Sequence, residues 1–251
     1  MTNTDQIDHA TRFGEQRVAE DDKARMVRDV FDSVASRYDL MNDLMSAGVH
    51  RLWKREMVSL IARDIPAGRV VDVAGGTGDI AFRLLERGFE VEIVDINAAM
   101  LSVGRDRALD KALTKGLTWT CGDAEALPMP NGCADAYTIA FGIRNVTHLE
   151  RALAEARRVL RPGGRFACLE FGHVVLPGLD TIYRQWSDHV LPQLGSAVAG
   201  DRESYQYLVE SIRRFPEQAR FAAMVGDAGL AHVATANLSG GIAALTTAWR
   251  L

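Results

Sequence analysis

Arg69-Val70-Val71-Asp72-Val73-Ala74-Gly75-Gly76-Thr77-Gly78-Asp79-Ile80 is the stretch from which the rest of the chain can be read. Arg69–Ala74 is a short, nearly continuous β-branched run, the pattern of a strand buried on both faces. A glycine cluster follows, and Asp79–Glu86 then places Ile80, Leu84 and Leu85 at helical spacing. A strand that enters a helix through glycines lets backbone approach a ligand and turns helix N–H groups towards it. In open α/β sheets ligands sit at this carboxyl end of the strands. Asp95, 23 residues beyond Asp72, closes the next β-prone run, Glu90–Ile96. A carboxylate there is placed to accept hydrogen bonds from both hydroxyls of a ribose.

The alternation continues outward in both directions. Ala98–Leu109 reads as a helix, Leu117–Cys121 and Ala134–Phe141 as strands, Leu149–Leu160 as a helix closed by Arg161-Pro162-Gly163-Gly164, and Arg165–Phe171 as a fifth strand. Strands separated by helices predict a doubly wound α/β fold with a parallel sheet covered on both faces. From Leu230 to Leu251 two β-prone segments flank Ser239-Gly240-Gly241, which predicts an antiparallel hairpin and brings the sheet to seven strands. Upstream, Val30–Ser46 and Arg51–Ala62 carry apolar residues at helical spacing, as do Leu179–Leu194, Tyr205–Phe215 and Glu217–Gly226 downstream. The chain therefore divides into an N-terminal helical extension (1–65) and an α/β core (66–251) with inserted substrate-side helices (177–228). All seven prolines fall where the apolar pattern breaks.

Composition bounds the function. The chain has 251 residues, 47% hydrophobic and 25% charged, with a net charge of −4. A chain of this size buries about three quarters of its unfolded surface, so a single domain needs no staple. No apolar run approaches the roughly 18–20 residues that span a bilayer. The first eight residues are polar and acidic, the reverse of a secretory signal. Cys121, Cys133 and Cys168 form no C-x-x-C pair, which fits a reduced cytoplasmic compartment. The six histidines show no ligand spacing, so no metal site is expected. A mildly acidic chain also makes a poor general nucleic-acid binder.

Three ligand readings follow. Gly76-Thr77-Gly78-Asp79-Ile80-Ala81 satisfies the relaxed dinucleotide fingerprint, which leaves a nicotinamide-dependent reductase open. A tight strand-to-helix turn without a ligand is the plainer alternative. Gly122-Asp123-Ala124 after the third strand offers a carboxylate and an adjacent backbone N–H to an adenine edge, and Leu160-Arg161-Pro162-Gly163-Gly164 precedes the fifth strand. Neither belongs to the dinucleotide pattern.

Together, the glycine loop, Asp95, Gly122–Pro128 and Leu160–Gly164 resemble a class I S-adenosylmethionine-dependent methyltransferase. Further blocks narrow the likeness: Val30–Asp43 (with Ser-Val-Ala-Ser-Arg-Tyr-Asp), His50–Arg55, Phe141-Gly-Ile-Arg-Asn-Val146, and Glu203-Ser-Tyr before Tyr207-Leu208. The chain from about Phe13 to Leu251 resembles the C-methyltransferases of ubiquinone and menaquinone biosynthesis. The resemblance implies a Rossmann-like seven-stranded fold, S-adenosyl-L-methionine as cofactor, and a 2-polyprenyl-6-methoxy-1,4-benzoquinol or demethylmenaquinol as substrate. By position it assigns the cofactor to Thr77, Asp95, Asp123 and Ala124, with Gly76 and Gly78 in the loop. Ala140 departs from the family, whose members often carry Ser there, and Ala74 follows the family's own loop.

Methylation at a ring carbon needs alignment and a stabilised phenolate. Arg144 is the first candidate to stabilise that charge, with Asn145 orienting substrate or a water and Tyr38 lining the quinol pocket. A structural ion pair for Arg144 and plain packing for Tyr38 are the competing roles. His50, His173 and His189 are weaker candidates for a base, and Asp72 is expected to fix the loop. Residues 50–69 hold five Lys/Arg against two acids, a modest attraction for anionic lipid or simply a solvated face. A prenylated substrate implies peripheral membrane contact or delivery within an assembly of quinone-biosynthesis enzymes. A homodimer also stays open, as does a non-catalytic cofactor-binding subunit.

Overall fold

The computed structural model describes residues 9, 11–34, 43, 46, 48–178, 183, 185–186 and 202–251. A small ladder, β1 (Arg12–Phe13) with β2 (Gln16–Arg17), leads into α1 (Glu20–Val34) and α2 (His50–Asp64). The core then runs β3 (Arg69–Val73), α3 (Asp79–Leu85), β4 (Glu90–Asp95), α4 (Ala98–Asp110), β5 (Leu117–Cys121), β6 (Ala134–Ala140), α5 (Leu149–Val159) and β7 (Leu160–Phe171). It closes with α6 (Arg202–Arg214), α7 (Gln218–Asp227), β8 (Ala231–Leu238) and β9 (Ala243–Trp249).

One seven-stranded sheet has the order β5-β4-β3-β6-β7-β9-β8. The first five are mutually parallel, while β9 is antiparallel to both β7 and β8. The order reverses between β3 and β6, which opens a crevice above their carboxyl ends. Neighbouring residues of one strand are buried in opposite layers. Val70, Ile93 and Leu169 pack with Trp53, Met57 and Ile61 of α2, Leu84 of α3 and Leu208 of α6. Val71, Val94 and Phe166 pack with Leu153 and Ala156 of α5 and Phe221 of α7. A period of two buried on both sides explains why β3 reads as a continuous apolar run.

The predicted strands and the terminal hairpin are present, with Ser239–Gly241 forming its turn. Trp53 Nε1 donates to Ser239 Oγ at 3.0 Å and ties α2 to that turn. Two boundaries differ. The first helix begins at Glu20, ten residues before the expected start; its expected continuation over 35–42 lies outside the described residues. Arg161-Pro162-Gly163-Gly164 is not simply a helix stop: β7 starts at Leu160 and carries the four residues as an irregularity. Gly163 takes a φ of 79° and donates to the Arg250 carbonyl, so the segment is paired despite its proline. The expected helix 179–194 lies largely outside the described residues.

Candidate functional site

The crevice is real and sits where the strand order reverses. It holds about 1120 Å³ of empty space including its open mouth, bordered by the ends of β3, β4 and β6, the Gly122–Glu125 segment, α1 and α2. Its floor is built from two unusual turns. Ala74, leaving β3, and Phe141, leaving β6, both take left-handed conformations, with φ of 50° and 57°. They lie side by side: a Cβ on Gly142 would come within 2.4 Å of the Ala74 Cβ. Only glycine lets these turns touch.

Gly76 (φ 53°) donates its N–H to Asp95 Oδ2 at 2.8 Å, while Asp95 Oδ1 accepts from the Asn97 N–H at 2.8 Å. Asn97 in turn caps α4 by accepting from the Met100 N–H at 2.9 Å. Burial pushes the Asp95 carboxyl up to about 6, against the pull of those two N–H donors. Thr77 is buried, and its hydroxyl accepts from Arg107 Nη1 at 3.0 Å. Gly76, Thr77, Asp95, Asp123, Ala124, Ala140 and Asn145 all line the cleft. Gly78 stands just behind it, with a φ of 86°, against the rings of Phe82 and Trp119.

Three charged groups stand on the floor. Sequence reasoning missed the inward turn of Lys54 and its pairing with Asp79. It expected Asp72 to fix the loop, whereas the Asp72 carboxyl is hydrogen-bonded to Thr138 of the neighbouring strand. Lys54, in the basic block expected to be a solvated face, is turned inward and buried. Its Nζ donates to Asp79 Oδ2 at 2.8 Å and lies 5.9 Å from the Phe141 ring centre. Asp79 also accepts from Arg83 Nε at 3.0 Å; the two cations hold its carboxyl down at about 2 despite burial. Asp72 accepts from Thr138 Oγ1 at 2.7 Å through Oδ1, while its Oδ2 is buried with no hydrogen-bond partner. Burial pushes Asp72 up to about 7, the Thr138 hydrogen bond opposing the rise. The helical spacing of Trp53, Met57 and Ile61 was the signal available for Lys54, since it places residue 54 beside the buried stripe.

Arg144 is not among the residues lining the cleft. It is buried behind the wall, where Nη1 donates to Glu170 Oε1 at 2.7 Å and to the Phe141 carbonyl at 2.5 Å. Its Nε donates to Ser211 Oγ at 3.3 Å. Asn145, the next residue, does face the cleft. Its Oδ1 accepts from Tyr207 Oη at 2.9 Å, and its Nδ2 is buried with no hydrogen-bond partner. Tyr38 lies outside the described residues, as does His189. His50 and His173 line no part of the cleft: His50 Nδ1 shares a hydrogen bond with Ser46 Oγ at 2.8 Å, and His173 Nε2 donates to the Phe215 carbonyl at 2.9 Å. Among the described residues no His/Cys/Asp/Glu group could hold a metal, and no helix is long and apolar enough to cross a membrane.

A profile of the ubiE/COQ5 methyltransferase family matches residues 16–250. The chain belongs to the ubiE/COQ5 methyltransferase family. Its relatives include the "Ubiquinone/menaquinone biosynthesis C-methyltransferase UbiE" of Methylobacterium nodulans, 58% identical over 247 residues, 96% of this chain and 97% of that protein. Among solved structures, a SAM-dependent methyltransferase of Thermotoga maritima aligns with a TM-score of 0.60 at 19% identity, covering 90% of this chain and 100% of that one. The Haemonchus contortus phosphoethanolamine N-methyltransferase 2, solved with S-adenosyl-L-methionine, aligns with a TM-score of 0.57 at 14% identity over 78% of this chain and 52% of that one. At such identities the two structures speak for the fold alone. Family membership makes this methyltransferase an S-adenosylmethionine-dependent enzyme, which sets aside the dinucleotide reductase and the non-catalytic subunit. Its cleft fits that cofactor. Asp95 retains acceptor capacity for ribose hydroxyls, Gly75 and Gly76 pack too closely on Ile93, Asp72 and Met100 to carry a Cβ and so keep the loop backbone bare, and the buried Asp72 Oδ2, with no hydrogen-bond partner, suits a cationic donor.

Proposed function

We propose that this methyltransferase C-methylates a polyprenylated quinol, a 2-polyprenyl-6-methoxy-1,4-benzoquinol, a demethylmenaquinol, or both, in ubiquinone and menaquinone biosynthesis. The observation that carries the reading is the near full-length 58% identity to the Methylobacterium nodulans C-methyltransferase. S-adenosylmethionine, when bound, supplies a sulfonium methyl that a carbon nucleophile attacks directly. The chain's own work is to bind, orient and stabilise charge. Asp95 takes the ribose hydroxyls, Asp123 and Ala124 the adenine edge, and Gly76 and Thr77 the methionine end, with Gly78 setting the turn beneath them. Ala140 presents a methyl group where family members often offer a hydroxyl.

Transfer of the hydroxyl proton to a water raises carbanion character at the ortho carbon of the quinol, and after methyl transfer that carbon gives up its own hydrogen as a proton, also to water. Asn145 suits the oxygen left behind: its Nδ2 is an uncommitted donor at the cleft wall, and its Oδ1 is already fixed by Tyr207. Lys54 brings a cation into the same cleft. Arg144 acts as a positioning residue, holding the Phe141 carbonyl and Glu170 so that the 141–145 turn keeps Asn145 in place. Tyr38 stays assigned to the quinol pocket on its sequence block. Val27 and Phe31 of α1 give the mouth an apolar wall, supporting α1 as a lid over a prenylated acceptor. With no membrane-spanning helix among the described residues, the enzyme meets its lipid substrate through peripheral contact or a partner.

The test is incubation with methyl-labelled cofactor and a short-chain demethylated quinol under reducing conditions, followed by mass spectrometry. Label on a ring carbon is expected. Recovery of unmodified quinol from an enzyme that binds its cofactor would overturn the acceptor assignment.

A further inference from the structure

Beyond the ribose, the next strand ends along the crevice are those of β3 and β6, since the sheet runs β5-β4-β3-β6. Adjacent strands stand about 4.8 Å apart, so a ligand with adenine at Asp123 and ribose at Asp95 carries its remaining arm over these two ends. The inference rests on that placement of the adenosine and not on the identity of the methyl acceptor. The arm of S-adenosylmethionine ends in an amino acid, with an ammonium and a carboxylate. Asp72 Oδ2, buried without a hydrogen-bond partner, suits the ammonium. The carboxylate needs a donor of its own, because a carboxylate taken out of water unpaired is costly.

Among the described residues, two cations border the cleft, Arg28 and Lys54. Arg28 is exposed on α1, and its carbonyl accepts from Asn97 Nδ2 at 3.4 Å, which places it on the β4 side. Lys54 is buried beside the β6 end, its Nζ 5.9 Å from the Phe141 ring centre. An ammonium has three N–H donors, and Asp79 Oδ2 takes one of those on Lys54. Asp79 also pairs with Arg83, so two cations share that carboxylate. Trp53, the preceding residue, is tied to Ser239, which fixes the turn of α2 that carries Lys54. We propose that Lys54 binds the carboxylate of the cofactor's methionine end, leaving Asp72 to the ammonium, and so discriminates against adenosine thioethers that lack the carboxylate. A charge-assisted contact of this kind gives selectivity as well as affinity, since the analogue without its partner leaves a buried cation underused.

The test titrates S-adenosylhomocysteine and its decarboxylated analogue, the aminopropyl thioether of adenosine, into the full chain and into Lys54→Met by calorimetry. The parent enzyme is expected to prefer the ligand with the carboxylate by about tenfold or more. Lys54→Met should lose that preference, with affinity for S-adenosylhomocysteine down about tenfold and affinity for the analogue within about twofold of the parent. Binding of the analogue also shows that the variant is folded, and Lys54→Gln replaces it if it is not. Absence of a preference in the parent overturns the proposal without any variant. A preference that survives in Lys54→Met overturns it too, and frees the cation for the quinol oxygen. Equal weakening of both ligands makes Lys54 a structural partner of Asp79, which again overturns it. Asp95→Ala is expected to weaken both ligands alike; no loss there counts against the adenosine placement and not against Lys54.

Discussion

Asp95 does two jobs with one carboxylate. It closes the glycine loop by accepting from Gly76, and it starts α4 by accepting from Asn97. Asp95→Ala therefore removes the proposed ribose acceptor and frees two N–H groups. Cofactor affinity is expected to fall by about two orders of magnitude, since hydrogen bonds to charged groups contribute about 1.5–3 kcal/mol each; calorimetric titration measures it. Asp72 makes a different prediction. Its folded-state carboxyl is raised to about 7, so between pH 4 and 7 the folded chain binds more protons than the unfolded one. Stability from this residue is full below pH 4 and is lost as pH rises through 7, by up to about 1.4 kcal/mol per pH unit. Asp72→Asn should flatten that fall in urea denaturation curves taken from pH 4 to 8; an unchanged slope would refute the burial account. Asp95, Asp123 and the glycines were legible because their placement depends on short spacings within one strand–turn unit. Lys54 and Arg144 were not. Their partners, Asp79 and Glu170, stand 25 and 26 residues away, and only the fold decides that both cations turn inward.

Elements were readable where their period was local. β3 and β7 announce themselves as apolar runs because both sheet faces are covered. α1 does not, since a first helical turn rich in acidic and basic residues hides the stripe that Val27 and Phe31 continue. The Arg161–Gly164 segment misled for a related reason: its turn chemistry is real, yet the carbonyl that receives Gly163 comes from Arg250, far along the chain. The short turn Ile143–Asn145 depends on Arg144, which anchors it to β7 through Glu170. Arg144→Ala leaves Glu170 buried without its partner, a loss of about 3–5 kcal/mol. The paired change Arg144→Met with Glu170→Leu should recover most of that stability in urea titrations. If Arg144 positions Asn145, kcat stays low in the double variant while the cofactor's KM is little changed. Recovery of full turnover would reduce Arg144 to a stabilising role.

At the scale of the molecule, the sheet depends on a strand that arrives last. β9 enters between β7 and β8, pairing with β7 from Arg165↔Trp249 to Phe171↔Ala243. Without it the β7 edge is long and open, a template for pairing with other chains. A chain ending at Ala228 should elute as aggregate in size-exclusion chromatography, whereas trimming Leu251 alone should leave the elution volume unchanged. The antiparallel insertion was legible only as a hairpin. Which edge it joins depends on the packing of α7 and α2, through contacts such as Trp53 with Ser239.

The paired left-handed turns at Ala74 and Phe141 bear on how quickly a ligand is captured. Each costs about 1–2 kcal/mol in a residue other than glycine, and the surrounding sheet meets that cost when the chain folds. The loop is thus set before any ligand arrives, and none of the encounter is spent ordering it. Changes at the mouth, where Val27 and Phe31 stand, are then expected to alter the rate of entry, and changes to the floor the time of residence.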